Sequence, residues 1–322
     1  MKTLAVISLF ATSALAQSAA PQPSGNPLIP SGISSGCSDF INAFNSDSSL
    51  TSCTKSLIQA TQNFGPGGSA GSSPTKAQIT TAVDSICTGS ASSACPDSLI
   101  RGKLTDFYAA CSDELTSTPN TQIRDMYDVL YVLTPLKAAI CSKDDSSNYC
   151  LLADSNGTSS GIQGALASAA GVDLSQIQNS LSYPSSSGPL SSRAEDPVVA
   201  NLTTFRASNL AFLFREPQMD PSILCTTCTR NVLTGYFNFE SDSDVLYAPG
   251  LSNSLLLGGQ NELVGSIQQK CGANFLNGAV QAAGGIKQGQ FGSGAVKGVS
   301  DRFSCLVAVV AGALTVAISS LL

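Results

Sequence analysis

The chain has 322 residues, 43% of them hydrophobic and 12% charged, with a formal net charge of −6 and neither histidine nor tryptophan. Without histidine, Ser-His-Asp and Cys-His catalysis as usually built are excluded, and so are histidine metal sites. An acidic chain without basic clusters also lacks the Lys and Arg that nucleic-acid binding and electrostatic docking to anionic lipid headgroups require.

Met1 and Lys2 precede an apolar run from Thr3 to Leu15, closed by Ala14-Leu15-Ala16 before Gln17. One positive charge, a short apolar core and a small-x-small cleavage site predict a secretory signal peptide over residues 1–16. The run is too short to span a bilayer, which takes about 20 apolar residues; a buried N-terminal helix is the competing reading. Ser/Pro/Gly-rich sequence over residues 17–36 then predicts a flexible mature N-terminus.

A cysteine repeat follows. Cys37, Cys53 and Cys87 are matched by Cys95, Cys111 and Cys141, with a first gap of 15 residues in both triplets and second gaps of 33 and 29. Cys150 comes soon after. A weaker third copy starts at Cys228-Thr-Arg-Asn-Val-Leu, which echoes Cys53-Thr-Lys-Ser-Leu-Ile, with Cys271 in the place of Cys87. Between the cysteines the apolar residues have helical period. Leu50, Cys53, Leu57, Ala60 and Phe64 form one stripe; Ile79, Val83, Ile86 and Cys87 form another, after Pro74 and a Thr75…Gln78 capping box. Ile100, Leu104, Phe107, Cys111 and Leu115 continue the pattern. Ile123, Met126, Tyr127, Leu130, Leu133 and Leu136 make a stronger stripe, which Pro135 is expected to kink or end.

Residues 153–197 are Ser/Gly/Ala-rich and read as a linker, separating a helical cysteine-rich domain at 37–152 from a second one at 198–277. In the second, Asp220-Pro221 starts a predicted helix carrying Leu224, Cys228 and Val232 on one side, and Leu255, Leu263 and Ile267 lead to Cys271. Asn156-Gly-Thr and Asn201-Leu-Thr are N-glycosylation sequons, and the serines from Ser182 to Ser192 could carry O-glycans. A Gly-rich stalk at 278–293 comes next. The uncharged, mostly apolar segment Cys305–Leu322, the spacer Val296–Ser304 and the small residues Gly292-Ser293-Gly294-Ala295 have the arrangement of a GPI signal. Ser293 is the expected attachment residue, with Gly292 and Gly294 as neighbours that would also fit, and 294–322 the propeptide. The alternative is a transmembrane helix, which usually carries Lys or Arg on its cytoplasmic flank; none follows Leu322.

Removing both signals takes basic residues from 16 to 13 and acidic ones from 22 to 21, for a mature charge of −8. It also removes Cys305 and leaves ten cysteines: Cys37, Cys53, Cys87, Cys95, Cys111, Cys141, Cys150, Cys225, Cys228 and Cys271. An even number in an oxidising compartment predicts five disulfides, although ten cysteines allow about 945 connectivities. The helical stripes favour Cys53–Cys87, Cys111–Cys141 and Cys228–Cys271 as hairpin staples, with Cys37, Cys95, Cys150 and Cys225 in linking bridges. The expected fold is all-α: repeated disulfide-stapled helical hairpins with Ser/Gly-rich linkers.

Several short motifs together resemble a fungal family of secreted, GPI-anchored, cysteine-containing proteins of unknown function. They are Cys37-Ser-Asp-Phe40 and Cys53-Thr-Lys in the first half, then Cys225-Thr-Thr-Cys228-Thr-Arg, Tyr236-Phe-Asn-Phe239, Tyr247-Ala-Pro-Gly250-Leu-Ser-Asn253 and Gln269-Lys-Cys271-Gly272 in the second. The resemblance implies a place on a fungal cell surface or wall. It lends no catalytic residues.

Other patterns suggest chemistry and are set against plainer roles. Cys225-x-x-Cys228 has redox spacing, but no βαβ context surrounds it, and two structural half-cystines with different partners are expected. No second close pair completes a four-cysteine zinc site. Asp113 with Glu114, and Asp125 with Asp128, could serve as glycosidase carboxylates; solvated helix faces are the expected role. Tyr236, Phe237, Phe239 and Tyr247 could face a ligand, although a core role fits better. Gly65–Gly71 lacks the Lys and Ser/Thr of a phosphate loop. No cofactor or metal is expected. The reading is a non-enzymatic GPI-anchored protein of the extracellular membrane face or cell wall, with a structural, protective or adhesive role. Its partners would be the membrane through the lipid, and wall polysaccharide or other surface proteins. The alternative is an extracellular lipid- or sterol-binding protein.

Overall fold

The computed structural model describes residues 29–64, 75–153, 202–241, 247, 249–250 and 253–277. The expected signal peptide, the Gly65–Gly71 stretch, nearly all of the linker, Asn156, Asn201, the stalk, Ser293 and the apolar C-terminal segment lie outside the described residues.

Regular structure among the described residues is helical, and pairing of extended backbone is limited to the bridge between Lys143 and Tyr149. The helices are α1 Ser35–Asn45, α2 Ser48–Thr61, α3 Lys76–Cys87, α4 Ser90–Ala94, α5 Asp97–Ser112, α6 Thr121–Cys141, α7 Cys150–Ala153, α8 Leu202–Ala207, α9 Pro221–Leu224, α10 Thr227–Glu240 and α11 Gln260–Cys271. None of these is long and apolar enough to cross a membrane.

Short polar side chains start several of these helices by accepting hydrogen bonds from otherwise orphaned amides. Ser34 caps α1, Asp47 caps α2, Asn120 caps α6 and Thr226 caps α10. The Thr75–Gln78 capping box on α3 forms in both directions. Pro135 does not end α6, which runs on to Cys141. Asp220-Pro221 does start a helix, but a short one: it stops at Leu224, and a second N-cap at Thr226 begins α10. The expected stripe survives this break, since Leu224, Cys228 and Val232 are all buried. The helical path also changes after Cys111, whose backbone leaves the α-region; a π-helical turn at Asp113–Ser117 follows and turns Glu114 and Leu115 inward.

α6 is the hub. Thirteen of its 21 residues are buried, too many for one amphipathic stripe, so it is covered on several sides. α3, α5 and α10 pack on it, and one hydrophobic core runs from Cys37 to Leu276 through both cysteine-rich stretches. The contact with α10 is close because Gly235 faces it: a Cβ there would lie 3.1 Å from Ala138 Cβ and 3.4 Å from the Ala139 amide nitrogen.

All ten expected cysteines pair, but none of the three hairpin staples forms. The bridges are Cys37–Cys111, Cys53–Cys95, Cys87–Cys141, Cys150–Cys228 and Cys225–Cys271, with Cα separations of 4.6 to 5.4 Å. Calling the triplet positions a, b and c, the bridges join a to b, b to a and c to c across the two repeats. Exchanging the repeats leaves that pattern unchanged. The packing obeys the same exchange: α1 lies on α5 as α4 lies on α2, α2 on α3 as α5 on α6, and α3 meets α6. Stripe residues face the core, and the helices that meet at the cysteines, α1 with α5, α4 with α2 and α3 with α6, come from different repeats. Cys87 and Cys141, for instance, each end a helix, and the two ends meet.

Gly235→Ala is therefore expected to destabilise the protein by about 1–3 kcal/mol through overpacking against α6. Gly265→Ala, on an exposed turn of α11 with nothing within 4 Å of the added carbon, should be neutral or stabilising by up to about 1 kcal/mol. Urea unfolding of the two variants beside wild type measures the contrast.

Candidate functional site

A cluster of acidic and amide side chains gathers where α6, α10 and the turn before α11 meet. Asp128 lies at the centre, 1% exposed, on α6. Its carboxylate accepts from Ser254 Oγ at 2.5 Å and from the Leu256 amide at 2.9 Å, and Ser254 Oγ also takes the Leu257 amide at 2.8 Å. One acidic side chain thus holds a turn more than a hundred residues away. Burial raises the Asp128 pKa, and the hydrogen bonds from Ser254 and the nearby backbone amides oppose the rise. Asp125, one turn earlier, is pushed up to about 6 by burial and by the charge of Asp128. Glu240, at the end of α10, accepts from Gln260 Nε2 at 2.8 Å, and burial pushes it up to about 7.

Aromatic rings wall this cluster. Tyr131 packs edge-on against Phe239 at 4.9 Å and against Tyr247 at 4.9 Å, and Tyr127 lies 5.6 Å from Tyr247. The Arg101 guanidinium sits 4.4 Å above the Phe239 ring. Tyr236, Phe239 and Tyr247 are buried and Phe237 partly so, which makes the aromatic group part of the core, as expected.

A second polar region surrounds the segment from Asn209 to Met219. Asn209, Leu213 and Phe214 have positive φ, two of them bulky and buried. Arg215 lies inside, donating to Thr229 Oγ1 at 3.1 Å and to the Leu213 carbonyl at 3.2 Å, while Asn209 Nδ2 donates to the Arg215 carbonyl. Glu216 is 3% exposed, takes a hydrogen bond from Gln218, and is pushed up to about 7 by burial. Lys270 donates to the carbonyls of Pro217 and Met219 at 2.7 and 2.6 Å, and so holds the segment to α11.

Two of the acidic residues weighed as solvated helix-face charges are interior. Asp128 is one. Glu114 is the other, 5% exposed, accepting from the Ser34 amide at 2.6 Å. Burial opposes its ionisation, but the bonds from Ser34 outweigh that and hold it below its ordinary value. Asp113 is exposed, as expected. Sequence reasoning erred because it placed both pairs on regular helices, whereas the π-turn rotates Glu114 inward and α6 has little outer face. It missed Glu240, Gln260 and Glu216 altogether. Each is a single polar residue in a mixed stretch, with no spacing that marks it as buried.

No thiol of the motif cysteines remains for redox work: Cys225 and Cys228 bridge to Cys271 and Cys150, the different partners expected. Cys37, Cys111 and Glu114 lie with their ligand atoms within 4.8 Å of one another, but the two sulfurs are bonded together and offer no thiolate. Of the four candidate acids, Asp128 and Glu114 accept hydrogen bonds that join distant segments, while Asp113 accepts from Ser117 one turn on.

Fold and interior thus define a helical protein held by five interlocking disulfides. Residues 20–177 match a family described as a domain of unknown function (DUF7729), which covers both paired cysteine triplets. No curated protein and no solved structure matches the chain.

Asp128→Ala is expected to lower stability by about 2–3 kcal/mol, because the Ser254 hydroxyl and the Leu256 amide would be left buried without an acceptor. Asp113→Ala should change it by no more than about 0.5 kcal/mol. Denaturant midpoints at matched pH decide the point.

Proposed function

We propose that the protein is a non-enzymatic component of a fungal cell surface, carried out by a signal peptide and tethered by a GPI lipid to the outer membrane face or cell wall. Its role there would be structural, protective or adhesive. The observation that supports this most is the complete use of ten cysteines in five bridges, a pattern suited to an oxidising compartment outside the cytosol. The order of small residues, polar spacer and apolar segment around Ser293 supports the lipid anchor. Sequons at Asn156 and Asn201 fit a secreted glycoprotein, and the motif resemblance fits a fungal surface. The absence of histidine, together with the structural employment of Asp128 and Glu114, favours a role without turnover. In that setting the partners are the membrane through its lipid and wall polysaccharide or neighbouring surface proteins.

Expression of the full chain in a eukaryotic host tests the reading. Phosphatidylinositol-specific phospholipase should release the protein from the cell surface, and Ser293→Pro with Gly292 and Gly294 also replaced by Pro should abolish that release. Deletion in the source cell should weaken cell–cell adhesion or resistance to wall stress. Native mass spectrometry of the released protein should show five disulfides and glycan. A lipid-sized mass that leaves only on denaturation would favour a ligand carrier instead.

A further inference from the structure

Two buried oxygens at the joint between α10 and α11 lack a hydrogen-bond partner. Glu240 is the last residue of α10 and Gln260 the first of α11. Gln260 Nε2 donates to Glu240 Oε2 at 2.8 Å. The remaining oxygen of each side chain, Glu240 Oε1 and Gln260 Oε1, is buried and unpaired. An unpaired buried acceptor is costly. Because the two groups are already joined by one hydrogen bond, a proton on the acid would serve both acceptors. A carboxylic acid and a carboxamide pair in this way: the amide N–H donates to the acid carbonyl, and the acid O–H donates to the amide carbonyl.

We propose that Glu240 and Gln260 form a proton-dependent latch between α10 and α11. With a proton on Glu240 Oε1 the two side chains close through two hydrogen bonds. When that proton leaves for solvent, a buried carboxylate remains beside an unsatisfied amide carbonyl, and the joint loosens. The inference does not depend on the protein's role at the cell surface.

The surroundings suit a neutral acid. Burial is what pushes Glu240 up to about 7, with the Gln260 bond opposing. α6 presents Tyr131 and α10 itself Tyr236, both held protonated by burial and by the nearby acid. α5 brings Arg101, whose guanidinium lies over the neighbouring Phe239 ring. On α11 the ionisable groups are Glu262, which is exposed, and Lys270, which is bound to the carbonyls of Pro217 and Met219. Asp242 and Asp244 follow Glu240 in the chain, outside the described residues.

The sign of the effect follows from linkage. Below the ordinary value of 4.5 both folded and unfolded chains hold the proton, and the closed latch contributes fully and without pH dependence. Between that value and about 7 the unfolded chain ionises while the folded one keeps its proton, so folding stability falls with each pH unit. Above about 7 both are ionised and the loss is complete. Glu240 thus makes the fold firmer in acid, with a total change in folding equilibrium on the order of a hundredfold.

The test compares the full chain, purified from a eukaryotic host, with Glu240→Gln. A glutamine pair keeps both hydrogen bonds and cannot ionise. Denaturant unfolding from pH 4.5 to 8 should show the wild type losing on the order of a hundredfold more folding equilibrium than the variant. Asp125 and Glu216 contribute equally to both proteins and cancel. Infrared difference spectra at pH 5.5 should show a protonated carboxyl carbonyl band in wild type that Glu240→Gln removes. Equal pH profiles for the two proteins, or no Glu240-dependent band, would overturn the latch. Should Glu240→Gln fail to fold, Gln260→Met gives the second reading: the acid band must shift to that of an acid without an amide partner, and an unmoved band refutes the pairing.

Discussion

The rest of the molecule depends on one helix being surrounded. α6 carries Tyr127, Leu130, Tyr131, Val132, Leu133 and Leu136 in an almost unbroken apolar run, and burial of those side chains is worth roughly 1.5–3 kcal/mol each. A helix apolar on one stripe needs one neighbour. A helix apolar nearly all round needs several, and here α3 and α5 cover part of it while α10, from far later in the chain, closes another side. Gly235 is where that closure is tightest. The two cysteine-rich stretches therefore share their core along α6.

The disulfides act on the same architecture. Each closes a loop of between 42 and 78 residues, and in the chain-entropy account bridges of that span restrict the unfolded chain by about 4 kcal/mol each. Because the first three run between repeats, they also hold the repeats together, which within-hairpin staples would not do. Cys150–Cys228 and Cys225–Cys271 carry the arrangement into the later stretch. A chain rich in serine and glycine loses much entropy on folding, and a crossed set of bridges offsets part of that loss.

The polar interior is organised by a few long-range hydrogen bonds. Asp128 holds the turn at Ser254–Leu257, Glu114 ties the cap of α1 to the end of α5, and Lys270 fixes the strained Asn209–Met219 segment. The Glu114 bond lies beside the Cys37–Cys111 bridge and reinforces the same junction, whereas Asp128 reaches a turn that carries no cysteine. Burial raises the pKa of Asp128, whereas the bonds from Ser34 hold Glu114 below its ordinary value.

By itself the sequence determined the main helical stripes, the start of α3 and most of the residues that face inward along those stripes. Ile100, Leu104 and Phe107, or Leu50, Cys53 and Leu57, repeat at helical spacing because that spacing buries one face, and Thr75 with Gln78 marks a helix start through bonds between neighbours. These are local facts, and local periodicity encodes them. The even cysteine count likewise predicted full pairing. Tertiary structure alone decided which cysteine met which, that Asp128 and Glu114 turned inward, that α6 continued through Pro135, and that Glu240 found Gln260. Each of those depends on which helix comes to lie opposite. A stripe states that a face is buried but carries no record of its partner, because the partner lies tens of residues away and is chosen by the packing of the whole core.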